Sequence, residues 1–337
     1  PVNELPLIAT TMGDPAGIGP EVLAKAAAVS DVRREVIPWV LGDPSVLEAV
    51  IRACRLELSV VECSDAAAAR SAGVGTVPVL PLSRIPWRPG EPSPESDRAQ
   101  LDFVEEAVRR LKTAEVGAMT TAPVHKLALH RAGCPFAGHT DLLGARFDVA
   151  QPVMMLAGPS LRVVPLTVHV PIREVPSLVT PERLETTIRV VHESFRRDFA
   201  LDRPRIAVAG LNPHAGEAGM FGDEDRNVIE PVIQRLASEG LDAQGPFSAD
   251  SIFKRAADGE FDVVLGMYHD QALIPLKLLD FDRAVNVTLG LPVIRTSVDH
   301  GTAYDIAGEG VASAGSMIEA LRLSGRMVRA RRRAARP

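Results

Sequence analysis

Short apolar runs alternate with helix-forming segments along most of this 337-residue chain, and that alternation narrows the fold more than any other feature. Leu5–Met12 has strand length and is closed by a glycine-rich turn. Val22–Ala28 follows as a helix, with Pro20 at its first position, where a missing N–H costs nothing. Glu35–Gly42 and then Pro44–Ala53 repeat the pattern. Leu56–Glu62, Val116–Thr120, Leu161–Val170, Arg205–Gly210 and Phe261–Leu265 are further strand candidates. Ser93 caps a helix whose residues Leu101, Val104, Val108 and Leu111 share one face. Pro123–Ala132, a segment capped by Thr180, and Asn227–Glu239 are also predicted helical. The pattern predicts an α/β fold with a largely parallel sheet. Prolines crowd the stretch Pro78–Pro94, which excludes a helix interior or a central strand there and marks a linker.

Composition removes several function classes. A hydrophobic fraction of 46% with 24% charged residues is that of a globular chain with a sizeable core. A net charge of −6 and 4% aromatic residues argue against nucleic acid as a partner. Cys54, Cys63 and Cys134 form neither a metal-ligand spacing nor a disulfide framework, and no apolar run approaches the ~18 residues of a membrane span. A cytoplasmic protein with reduced cysteines is expected. The basic end Arg329–Arg336 reads as a solvated, disordered tail, and His192, off the apolar stripe of its helix, as a solvated surface residue.

Three histidines share one address. His169, His214 and His269 each lie at or just after the carboxyl end of a predicted strand, the edge where open α/β sheets bind ligands. If those strands are parallel neighbours, all three imidazoles reach one point. Three protein ligands with an open position is the pattern of a catalytic divalent ion. Asp270 follows His269 directly and either orients a ligand or moves a proton, with Asp250 behind it. Lys277, Asn286 and Arg295 suit an anion site; Arg295 ends the apolar run Gly290–Ile294, and its guanidinium can grip phosphate or carboxylate in bidentate fashion. His139 and Thr140 after Gly138 can hold an anion, while Thr140 or Asp141 also suits the cap of a helix over Leu142–Phe147. The loop Gly13–Glu21 lacks the G-x-G-x-x-G nucleotide fingerprint and reads equally as a plain tight turn.

Gly13-Asp14 with Gly17-Ile18-Gly19-Pro20-Glu21, and His300-Gly301-Thr302-Ala303-Tyr304-Asp305-Ile306-Ala307-Gly308, resemble two signatures of the isopropylmalate and isocitrate dehydrogenase superfamily. Within it, Gly138-His139-Thr140, Asn212-Pro213-His214-Ala215-Gly216-Glu217, Met267-Tyr268-His269-Asp270-Gln271 and Arg295–Ala303 resemble the 4-hydroxythreonine-4-phosphate dehydrogenase family. The resemblance implies a two-domain α/β/α subunit, isopropylmalate dehydrogenase-like, with its active site in the interdomain cleft. Residues 1–135 with 295–337 would form the cofactor-side domain, and 136–294 the metal, substrate and dimerisation domain. It implies a homodimer with shared active sites, so that the histidine ligands need not come from one chain.

It further implies His169, His214 and His269 as ligands of one divalent ion (zinc, magnesium or cobalt). His139, Thr140, Lys277, Asn286 and Arg295 would bind substrate, and Asp14, His300, Gly301 and Asp305 would lie on the side of NAD or NADP. Asp270, Asp250 and Lys277 are the catalytic candidates. The expected reaction is oxidation of a 4-phosphorylated 3-hydroxy acid to a 3-keto acid, followed by decarboxylation. Ala272 and Asp141 stand where the biosynthetic enzymes usually carry glycine and glutamate, and Ile274–Leu279 with Tyr304-Asp305-Ile306 resembles a sister branch acting on 4-phospho-D-threonate or 4-phospho-D-erythronate. A dihydrodiol dehydrogenase of aromatic-acid breakdown, a non-catalytic anion-binding protein and a zinc hydrolase are the competing readings.

Overall fold

The computed structural model describes residues 4–136 and 138–334. In chain order the strands are β1 (Leu7–Thr11), β2 (Ile37–Gly42), β3 (Ser59–Glu62), β4 (Thr76–Pro81), β5 (Ala118–Thr121), β6 (Val153–Ala157), β7 (Arg162–Thr167), β8 (Ile206–Ala209), β9 (Ala243–Phe247), β10 (Val263–Tyr268), β11 (Val285–Leu289) and β12 (Arg295–Val298). The described residues divide into two compact units, one within 4–152 with 291–332, the other 153–290 with 333–334.

In the first unit the strands run in the order β3-β4-β2-β1-β5-β12, each parallel to its neighbour. Every residue of β1 is buried, as expected of a strand whose sheet is covered on both faces. Leu7, Trp39, Leu41, Met119 and Leu291 form a core with Leu101, Val104, Val108 and Leu111 from the helix Pro94–Lys112. That helix starts at a reciprocal cap in which Ser93 and Ser96 satisfy each other's backbone N–H. One expectation is corrected here. Pro78 lies inside β4, which is flanked on both sides by strands. It is tolerated because it registers with Val61 of β3, while the ladder with β2 begins only at Val40 opposite Val79, so no β2 bond needs its N–H.

The basic end is a second correction. The helix Gly315–Ala334 takes in its first part, Arg329 to Ala334, while Ala335 and Arg336 lie outside the described residues. Arg329 donates to the Glu35 carbonyl at 2.8 Å, Arg331 to the Pro292 carbonyl at 2.6 Å and Arg332 to the Glu4 carbonyl at 2.9 Å. These arginines are hydrogen-bonded to the fold and part of a helix, although Arg332 stays exposed.

The second unit orders its strands β11-β6-β7-β10-β8-β9. β7, β10, β8 and β9 are parallel, but β6 is antiparallel to both of its neighbours. Only Gly158–Leu161 separates β6 from β7, which permits a hairpin and forbids a crossover. Leu156, Val163, Ala207, Val264 and Leu276 lie in its core. The helix Pro181–Phe199 is capped by Thr180 and buries Leu184, Ile188, Val191 and Phe195. His192 is buried with them, against expectation. This helix packs on strands β6, β7 and β11 and also on the helix Glu230–Ser238, so its covered sector is wider than one stripe. No helix among the described residues is long and apolar enough to cross a membrane.

Candidate functional site

The three strands that lead to His169, His269 and His214 are consecutive in the sheet and parallel: β7, β10 and β8. Three hydrogen bonds stitch their carboxyl ends. Thr167 Oγ1 donates to the Met267 carbonyl at 2.8 Å, and Gln271 Nε2 donates to the Gly210 carbonyl at 2.8 Å while its Oε1 accepts from Met267 N at 2.6 Å. Gln271 was given no role by sequence reasoning, although it sits in the motif beside His269 and Asp270. His269 opens the helix His269–Asp280. His169 follows β7 in a left-handed conformation, φ +53°.

The His169 and His269 rings meet at 5.9 Å between centroids and border a cavity of about 370 Å³ with Tyr268 and Asp270. Asp270 Oδ1 is 2.7 Å from His269 Nδ1. With Nδ1–H donating to that carboxylate, Nε2 is left with a lone pair, the usual preparation of an imidazole for a metal. The His169 and His269 imidazoles thus offer two nitrogen donors of the kind that suits a divalent ion. The His214 ring lies 6.3 Å from that of Phe221. Among the described residues of one chain, no group of three His, Cys, Asp or Glu side chains is placed to hold a metal.

His214 begins an unusual turn. His214, Ala215, Gly216, Glu217 and Ala218 are successive left-handed residues, with φ values of 52°, 52°, 79°, 42° and 56°. For residues with a Cβ that conformation costs roughly 1–2 kcal/mol each. Strain of this kind clusters at functional sites. Asp250 lies at the start of the helix Ala249–Ala257 and lines a groove of about 500 Å³ together with Asp270 and Gln271. Lys277 is half-buried on the helix His269–Asp280, with its ammonium 5.7 Å from the Phe281 ring. Asn286, on β11, has an Oδ1 shut away from solvent that accepts no hydrogen bond from the described residues.

In the first unit Arg295 opens β12 instead of ending a run, because Gly290 turns the chain before it. Its side chain is buried. Nη2 donates to Thr121 Oγ1 at 2.9 Å and lies 3.2 Å from His139 Nδ1. A guanidinium only donates, so Nδ1 must accept and the imidazole proton sits on Nε2. That Nε2 is also shut from solvent and has no partner among the described residues. Burial, helped by the Arg295 charge, holds the His139 pKa well below the ordinary value. Burial lowers Arg295 to about 10, which leaves it cationic at neutral pH. A buried guanidinium beside a neutral imidazole that offers an N–H is a donor pair suited to an anion. His139 itself starts the helix His139–Arg146, and Thr140 is its second residue; the expected cap at Thr140 or Asp141 is replaced by Gly138.

The two signature loops of the first unit are bonded to each other. Ile18 N donates to the Thr302 carbonyl at 2.9 Å, and a Cβ on Gly17 would lie 2.8 Å from that oxygen, so only glycine fits. Asp14 is fully buried. Its carboxylate accepts from Tyr304 Oη at 2.6 Å, Gln100 Nε2 at 3.2 Å and Ala16 N at 2.9 Å. Asp14 thus uses its carboxylate inside the loops, whereas Gly301 and Asp305 face solvent. His300 Nδ1 is 3.1 Å from the Gly301 carbonyl, and its Nε2 has no partner among the described residues.

Comparison with known proteins finds relatives along nearly the whole chain. The family model described as "Pyridoxal phosphate biosynthetic protein PdxA" covers residues 34–324. The chain is 46% identical over 330 residues to a 4-hydroxythreonine-4-phosphate dehydrogenase of Geobacter metallireducens, spanning 97% of each chain. A crystal structure of a 4-hydroxythreonine-4-phosphate dehydrogenase from Burkholderia phymatum shares 40% identity at a TM-score of 0.85, covering 96% of this chain and 99% of that one. One from Klebsiella pneumoniae shares 37% identity at a TM-score of 0.87, covering 96% and 98%. A family model that matches most of the chain and near-full-length relatives at this identity show that the chain belongs to the pyridoxal phosphate biosynthetic protein PdxA family.

Proposed function

We propose that this protein is a divalent-metal- and nicotinamide-dependent dehydrogenase that oxidises the C3 alcohol of a 4-phosphorylated 3-hydroxy acid and releases its carboxyl group as CO2, with 4-hydroxythreonine 4-phosphate as substrate. The observation that carries the substrate class is the buried pair of Arg295 and His139. An unphosphorylated dihydrodiol would leave the enclosed His139 Nε2–H, beside the Arg295 guanidinium, without an acceptor, a loss that phosphate repairs. This donor pair therefore favours a phosphorylated acid over the dihydrodiol reading. Within the phosphorylated acids, 4-phospho-D-threonate and 4-phospho-D-erythronate are the alternatives, supported by Tyr304-Asp305-Ile306.

When bound, the ion supplies Lewis acidity to the alcohol and to the enolate formed as CO2 leaves, and NAD or NADP accepts the hydride. His269, oriented by Asp270, and His169 would hold the ion, with His214 completing the set across a homodimer. Asp270 and Asp250, on one groove, are the candidates for the alcohol proton and for returning a proton to the enolate carbon. Arg295, His139 and Thr140 fix the phosphate and so set C3 in place. Lys277 and Asn286 keep the substrate-binding role that the resemblance implies, and Lys277 is the remaining catalytic candidate. Gly301, His300 and Asp305 face the cofactor, while Asp14 holds their loop in place.

The homodimer has a candidate face. Ile274, Leu278, Leu279 and Phe281 are exposed at and after the helix His269–Asp280, which begins at a proposed metal ligand. A second copy would cover them. The decisive assay is nicotinamide reduction with and without chelator across 4-hydroxythreonine phosphate, 4-phosphothreonate, 4-phosphoerythronate and a dihydrodiol. Turnover that is blocked by chelator and confined to phosphorylated acids is expected. Chelator-resistant turnover or a preference for the diol would refute the proposal.

A further inference from the structure

Asp225 is 1% exposed and opens a π-helical turn, Asp225–Ile229. Its carboxylate faces backward onto the loop that carries His214. Oδ1 accepts from Leu211 N at 2.7 Å; Oδ2 accepts from Asn212 N at 3.1 Å and from Asn212 Nδ2 at 2.9 Å. Glu224 takes the same Asn212 amide at 2.8 Å. Asn212 is the last extended residue before the left-handed turn, and its carbonyl accepts from Ala215 N at 3.1 Å. A Cβ on Gly210 would lie 2.8 Å from Asp225 Oδ1, so the strand end is glycine where the carboxylate presses against it.

A run of left-handed residues does not hold itself. It persists only where the surroundings over-determine it. Here the entry to the run is clamped by one buried carboxylate through three donors, all within three residues of His214. We propose that Asp225 is a positioning residue for metal binding: it locks residues 211–212 and thereby fixes where the strained turn presents the His214 imidazole. The inference rests on the reading of His214 as a metal ligand. An amide at 225 has only one oxygen, and its NH2 would meet an N–H of the loop, so Asp225→Asn cannot rebuild the clamp.

The test is Co²⁺ affinity of the purified full chain, measured by competition with a chromophoric chelator, alongside thermal melting. Asp225→Asn should bind Co²⁺ on the order of 10–100-fold more weakly, the range typical of lost outer-shell support. Asp262→Asn is the control. Asp262 also caps a strand start, through Arg205 N at 2.8 Å and the Arg205 guanidinium, but has no bond to the His214 loop. It should lose thermal stability and keep Co²⁺ affinity. Wild-type affinity in Asp225→Asn, with His214→Ala impaired, would overturn this proposal alone. An equal loss in Asp262→Asn would overturn it too, as a general effect of destabilisation. Wild-type affinity in His214→Ala would overturn the metal reading and this inference with it. If Asp225→Asn does not fold, Asn212→Ala decides: it removes a single donor, a weaker loss of affinity is expected, and no loss refutes the clamp.

Discussion

The hydroxyl of Tyr304 donates to Oδ2 of Asp14 across 2.6 Å, tying together two loops 290 residues apart in sequence. Removing that hydroxyl leaves a buried carboxyl short of one donor, which costs about 1–3 kcal/mol. Tyr304→Phe should therefore unfold at lower urea, and amide exchange across residues 300–306 should quicken. Unchanged exchange there would show that the bond does not hold the loop. The pair also sets a pH dependence. Burial outweighs the hydrogen bonds and raises the Asp14 pKa, and burial with the Asp14 bond raises that of Tyr304. A raised folded pKa means the native state keeps its proton longer than the unfolded chain does. Asp14's contribution is then complete below the unfolded value of about 3.9 and declines as pH climbs through the raised one. Asp14→Asn should flatten that acid-side decline in melting temperature relative to the wild type.

His139 works in the opposite sense. Its folded pKa is lowered, so the unfolded chain takes up a proton that the native state refuses. The stabilisation is fully present above about 6.5 and drains away as pH falls toward the depressed value. His139→Gln should weaken the dependence of stability on pH below neutrality. It should also raise KM for a phosphorylated substrate more than it lowers kcat. A variant with the wild-type acid limb would mean that the imidazole is solvated.

Asp270 is exposed enough to be replaced without harm to the core, since its side chain keeps 71% of its surface. Asp270→Ala frees His269 Nδ1 from its carboxylate. Metal affinity should fall on the order of 10-fold or more, read by chelator competition. Full affinity with turnover abolished would instead assign Asp270 to proton transfer.

Leu278 is 81% exposed on an apolar face shared with Ile274, Leu279 and Phe281. A charge there should not disturb the subunit but should oppose burial against a second copy. Leu278→Glu should halve the mass seen by light scattering at micromolar concentration. A dimer of unaltered stability would place the contact elsewhere.

Much of this was legible because it is local. Ser93-Pro94 and Thr180-Pro181 announce helix starts by side-chain chemistry alone, and the helices begin there. The strands before His169, His214 and His269 showed as apolar runs. Their adjacency is a property of the sheet, which no run displays. β6, read from Val153-Met154-Met155-Leu156-Ala157, escaped because Met, Leu and Ala suit a helix as well as a strand. β9 escaped because Ala243-Gln244-Gly245-Pro246-Phe247 has neither alternation nor a continuous apolar core; its strand character comes from pairing with β8 at the sheet edge. His192 was misplaced because one helical stripe cannot report a second packing partner. The clamp at Asp225 left no trace, since one aspartate in Asp223-Glu224-Asp225 looks like another until burial separates them.

The division of the chain bears on its synthesis. The second unit is nearly contiguous in sequence, and its β6–β7 hairpin closes over only a few residues, the fastest kind of strand pairing. The first unit awaits β12, whose partner β5 was made some 170 residues earlier. On the ribosome, the later-made body can be finished while the earlier one still exposes an open edge along β5. Aggregation of nascent or truncated chains should therefore start at that unfilled slot, and stop codons placed just before residue 295 should yield insoluble product even though nothing proposed for the metal has been removed.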